Sequence, residues 1–149
     1  ALAVTFRTVW IVWGAMVGSV VVHAGIAFAF AGAASVGVDA GSLTTPLVMT
    51  GFFMAMSGGL VFRRIHREMP ADPAPGQPRE AADSARIRRA MVLAIIAWAL
   101  FEGAAVVGLV LALLGGKGWP LIALGAGLLA IHLPRRSLFD APPGAGSSL

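Results

Sequence analysis

The chain has 149 residues, of which 58% are hydrophobic and only 12% charged, and it contains no cysteine. A soluble domain with so few charges would expose large apolar patches, whereas a bilayer accepts helices that are apolar all round. The missing cysteines exclude disulfides, thiolate metal sites and thiol nucleophiles.

The net charge of +4 does not imply nucleic acid, because the basic residues cluster at the ends of apolar runs. No basic surface interleaved with aromatics is formed. The ten-to-one excess of Arg over Lys, with abundant Ala and Gly, suits a GC-rich bacterial genome.

A spanning helix needs about 20 apolar residues, with a tolerated range of roughly 17 to 25, and four segments fall within it, the fourth being short. The first, 8–30, is uncharged and carries Trp10 and Trp13 at its basic end, where interfacial anchors belong. A secretory signal is the competing reading, with Ala27-Phe28-Ala29 or Ala31-Gly32-Ala33 as the cleavage site. The apolar stretch is too long for that, so a membrane anchor is expected. The first residue, Ala1, suggests a trimmed or incompletely built N-terminus.

The second span, 46–62, opens on Thr44-Thr45-Pro46, a capping residue before a proline at the first helical position, and closes on Arg63 and Arg64. The third, 90–114, follows Arg88 and Arg89 and ends at Gly115-Gly116. The fourth, 117–133, begins near Trp119 and stops at Pro134, before Arg135 and Arg136. Trp119 and these six arginines are the remaining interfacial anchors.

Orientation follows from the connections. Residues 31–45 hold no Lys or Arg, and the turn between the third and fourth spans holds only Lys117. The other basic residues therefore face the cytoplasm, together with both termini and the loop 63–89. Within that loop, 69–78 (MPADPAPGQP) is a stiff proline-rich spacer. From Glu80 the residues favour helix and lead into the third span. The expected fold is all-α: a polytopic membrane protein with one four-helix domain over 1–139, N-in and C-in, and a disordered tail at 140–149.

Lipid gives no hydrophobic drive for helix association, so small residues must supply close contact. Gly14 and Gly18 form such a face in the first span. Gly51, Ala55 and Gly59 do so in the second, Ala104, Gly108 and Ala112 in the third, and Ala123 and Gly127 in the fourth. The short turn Gly115 to Gly118 makes the last two spans adjacent and antiparallel.

Candidate chemistry is confined to His23, Glu102 and His132. At 1.5 Å per residue Glu102 lies about 18 Å from the cytoplasmic end of its span, near the bilayer midplane. An acid there is expensive and serves an ion path, a proton relay or a helix contact. His23 is about 22 Å deep by the same rise, so the two can pair across the bundle. Ser19 precedes His23 by one turn.

His132 sits at the cytoplasmic edge, more than about 15 Å from His23 in depth, and His66 falls in the polar loop. A haem held by two histidines of this chain is therefore not expected, nor is any other cofactor or metal.

The third span, Ala94 to Leu114 (AIIAWALFEGAAVVGLVLALL), resembles the carboxylate-bearing helix of the ATP synthase c subunit and related proteolipids. The resemblance covers about one seventh of the chain and places Glu102 at the ion-binding carboxylate. Proteolipids carry that acid on the second helix of a hairpin with a polar cytoplasmic loop. Here it lies on the first helix of a hairpin whose turn is on the outer side.

With no nucleophile, metal cluster or phosphate loop, a non-enzymatic role is expected. The chain reads as an accessory or scaffold subunit of a respiratory, photosynthetic or ATP-synthase type complex in the bacterial cytoplasmic membrane. Its partners would be lipid and other integral membrane proteins, in a hetero-complex rather than a homo-oligomer. The alternative is a proton or small-ion conduit through Glu102 and His23.

Overall fold

In a computed structural model, the described residues (2–30, 40–68, 79–115 and 117–134) are helical apart from short turns. The helices are α1 (Leu2–Phe30), α2 (Ala40–Glu68), α3 (Arg79–Leu113) and α4 (Trp119–Ile131). Three of them are long and apolar enough to cross a membrane, over Arg7–Phe30, Ser42–Arg67 and Ser84–Leu113. α4 is apolar but has only 13 residues, about 20 Å of helix. The spacer at 69–78, most of the connection 31–45, Arg135, Arg136 and the tail lie outside the described residues.

α3 begins at Arg79, one residue before the expected Glu80. α2 departs further from expectation at both ends. It starts at Ala40, so Pro46 lies inside the helix and not at its first position. The proline ring removes one N–H, and the Pro46 carbonyl accepts a hydrogen bond from Thr50 Oγ1 at 2.8 Å. At the other end α2 runs through Arg63 and Arg64 to Glu68. Arginine is a good helix former, and a helix hydrogen-bonds itself whether or not its side chains are apolar.

α3 is the central element and packs against all three others. In its most apolar stretch 44% of residues are buried, against 11% for α1. Among the described residues α1 and α2 hardly meet. The core gathers Val9, Val20 and Ala27 of α1, Phe62 and Ile65 of α2, Ala97, Trp98, Phe101 and Ala105 of α3, and Ile122 and Leu129 of α4.

Glycines set how closely the helices approach. A Cβ added at Gly108 would lie 2.7 Å from the Gly118 carbonyl oxygen and 2.8 Å from the Ile122 nitrogen. One at Gly125 would lie 2.5 Å from the Phe101 carbonyl oxygen and 3.0 Å from Ala105 Cβ. α3 and α4 therefore touch backbone to backbone, the arrangement that small residues permit inside a membrane.

On α2 the contact face is Gly51, Ala55 and Gly58: Gly51 meets Leu121 and Val107, and Gly58 meets the Phe101 ring. Gly59, expected on this face, would meet nothing within 4 Å, and the same holds for Gly14, Gly18 and Gly127. Ala123 is exposed. Ala104 is fully buried and Ala112 half-buried on α3.

The turn after α3 needs a left-handed residue, and Gly115 supplies it with φ 80°. Gly118 then caps α4, its carbonyl accepting from the Leu121 and Ile122 amides.

Candidate functional site

The antiparallel pairing of α2 with α3 brings the C-terminal turns of one beside the N-terminal half of the other. Arg63, Arg64 and Arg67 thus share an end of the bundle with Arg86, Arg88 and Arg89. Lys117 lies at the opposite end, next to the α3–α4 turn. Arg63, Arg64, Arg88, Arg89 and Trp119 are exposed. Trp10 is exposed and packs edge-on against Trp13 at 5.2 Å between ring centroids. Trp13, expected at the interface, turns partly inward, and its Nε1 donates to the Leu129 carbonyl of α4 at 3.0 Å.

A second indole works in the same way one helix away. Trp98 Nε1 donates to the carbonyl of His132 at 3.0 Å, closing the end of α4. His132 is the C-cap of that helix. Its backbone N–H donates to the Leu128 carbonyl at 3.1 Å, and its ring Nδ1 contacts the same oxygen at 2.9 Å. The ring is packed against Phe62, 4.3 Å between centroids, and against Phe101 at 5.2 Å. Phe62 in turn stacks on Phe101 at 6.3 Å. Aromatic pairs at these separations contribute about 0.5–1.5 kcal/mol each beyond their buried area.

Because α4 stops at Ile131 while α2 continues to Glu68, a cleft opens beyond the end of α4. Its lining is Gly59, Phe62, Arg63, His66 and Arg67 of α2, with His132, around a volume of about 320 Å³. The five α2 residues form one stripe, because positions three and four apart share a helix face. His66 Nδ1 lies 3.0 Å from the Phe62 carbonyl, the same i to i−4 arrangement that His132 makes.

A carbonyl oxygen only accepts, so each Nδ1 must carry the hydrogen. In the neutral form of the ring, each Nε2 is then the acceptor nitrogen. His66, set aside in the sequence as a loop residue, is thus a helical residue of the cleft. The signal was present: FRRIHR and IHLPRR each set a histidine close to an Arg-Arg pair in the sequence.

Glu102 and His23 do not come together in this way. Both are half-buried, and His23 Nδ1 is buried with no hydrogen-bond partner. Among the described residues nothing hydrogen-bonds to Glu102, and no group of three or more His, Cys, Asp or Glu is placed to hold a metal ion. Comparison with known protein families, curated proteins and solved structures finds no match.

Proposed function

We propose that this chain is a non-enzymatic accessory or scaffold subunit of a larger complex in the bacterial cytoplasmic membrane. It crosses the bilayer four times, with both termini and residues 63–89 on the cytoplasmic side. The observation that carries the reading is the state of α1. This helix is apolar over Arg7–Phe30 yet only 11% buried, and Gly14, Gly18 and Gly25 have open space where a Cβ would stand. Four and seven residues apart, these glycines share one face, which suits close approach by a helix from another protein. The charge pattern supports the topology, since the arginine-rich end is the one the positive-inside rule assigns to the cytoplasm.

Extraction in mild detergent should recover stoichiometric membrane partners. They should be lost from a Gly14→Leu/Gly18→Leu double variant that still folds. If the wild-type chain purifies alone, or the variant keeps every partner, the scaffold reading fails. Glu102, half-buried and without a hydrogen-bond partner among the described residues, favours a second reading, a proton or small-ion conduit. Proton flux in reconstituted vesicles that Glu102→Gln removes would establish that reading instead.

A further inference from the structure

We propose that the cleft beyond the end of α4 binds a phosphate-bearing group that also carries hydroxyls, such as phosphoglycerol. Arg63 and Arg67 would hold the phosphate, and the Nε2 atoms of His66 and His132 would accept from the hydroxyls. The group is either the headgroup of an anionic lipid or a free phosphate ester.

Among the described residues no acid lines the cleft, and neither Arg63 nor Arg67 has an ion-pair partner. Two guanidinium groups one turn apart offer forked donors that match phosphate oxygens. The volume of about 320 Å³ lies at the small end of the range for small-molecule sites, about 300–1,000 Å³. That is room for a headgroup or a compact phosphate ester.

The histidines narrow the chemistry further. With Nδ1–H committed to a backbone carbonyl in both rings, Nε2 is the acceptor in the neutral form of each imidazole. An acceptor does not complement a phosphate oxygen, but it does complement a hydroxyl. Two donors for phosphate beside two acceptors for hydroxyls describe a polyol phosphate better than a bare one.

The position agrees. Phe62 is 3% exposed in the core and Arg63 beside it is exposed, so the cleft sits where apolar helix gives way to charge. That is the level of the headgroups for any bilayer that α2 crosses. This inference is independent of the scaffold reading, because it needs only α2 in a membrane.

The test uses the full chain in detergent, offered equal amounts of phosphatidylcholine and phosphatidylglycerol, with retained lipid read by native mass spectrometry. Phosphatidylglycerol should be retained in preference. Arg63→Gln/Arg67→Gln should reduce that retention about tenfold, with helicity by circular dichroism unchanged. Arg88→Gln/Arg89→Gln removes equal charge outside the cleft and should leave retention intact. Phosphatidylmethanol has the same charge without the glycerol hydroxyls and should bind more weakly, a difference that His66→Phe should reduce.

A second arm titrates sn-glycerol 3-phosphate and follows tryptophan fluorescence, since Trp98 is bonded to His132. A saturable response that Arg63→Gln/Arg67→Gln removes, with no lipid retained, supports the site and assigns it a soluble ligand. Silence in both arms, or equal loss in Arg88→Gln/Arg89→Gln, overturns the proposal.

Discussion

The contact between α3 and α4 gives the sharpest test of the fold. In Gly108→Ala the new Cβ would stand 2.7 Å from the Gly118 carbonyl oxygen and 2.8 Å from the Ile122 nitrogen. Ordinary contact begins near 3.4 Å, so the shortfall is about 0.7 Å, and both obstructing atoms are backbone, which cannot rotate aside. The helices must part, at the cost of about 1–3 kcal/mol typical of overpacking. Gly125→Ala, facing the Phe101 carbonyl, belongs in the same range.

At Gly51 the nearest atom, at 2.8 Å, is Cδ1 of Leu121. This is the end of a side chain that can shift, and Gly51→Ala should cost under about 1 kcal/mol. Gly14→Ala, Gly18→Ala and Gly127→Ala meet nothing and should lie within about 0.5 kcal/mol of wild type. Reversible unfolding of the purified monomer in mixed micelles measures the series. If Gly18→Ala proves as damaging as Gly108→Ala, the helices are not arranged as described.

Further outcomes follow from other parts of the bundle. Trp98→Phe deletes the bond to the His132 carbonyl but keeps most of the ring, and should lower stability by about 1 kcal/mol in the same assay; no loss would show that the bond contributes nothing. Single cysteines are clean probes in a chain that has none. Lys117→Cys should react with an impermeant maleimide added outside, and Arg88→Cys only after permeabilisation; the reverse pattern would invert the topology. Glu102→Gln and Glu102→Leu should both fold with stability changed by less than about 1 kcal/mol, because no hydrogen bond is lost. A larger loss in thermal unfolding would mean that Glu102 is bonded in the native bundle.

How much of this could be read from the sequence divides along a physical line. Apolar length fixes which segments become helices, so all four were visible. The start of α3 was legible within a residue, because helix formers take over after the proline-rich stretch. The C-terminal end of α2 was not legible, since hydropathy falls at Arg63 while the backbone ladder continues to Glu68.

The small-residue faces show the same limit. A four-residue step advances about 400° around a helix, so two steps drift by about 80° from the starting face. A seven-residue step drifts by only about 20°. The face begun at Gly51 and Ala55 therefore continues through Gly58 and not Gly59, and on α4 it runs through Gly118, Ile122 and Gly125. Depth matched His23 to Glu102, but depth says nothing of rotation, and among the described residues no hydrogen bond joins the two. The cleft depended on where α4 stops relative to α2, which no single segment reveals.

The shortness of α4 bears on the lipid as well as on the cleft. If all four helices cross as proposed, a hydrocarbon layer of about 30 Å meets apolar stretches of 24, 26 and 30 residues on most of the bundle, but one of 13 residues on a single flank. Acyl chains beside that flank would then bend inward to cover it. The bilayer would be dimpled on one side of the protein only, at a fraction of a kcal/mol for each ångström of mismatch. Such an object carries its own direction in the membrane plane. Two inclusions that pinch the bilayer lower the cost by sharing one dimple, so on the proposed topology α4 flanks would attract one another, or any neighbour equally short, without a single specific contact.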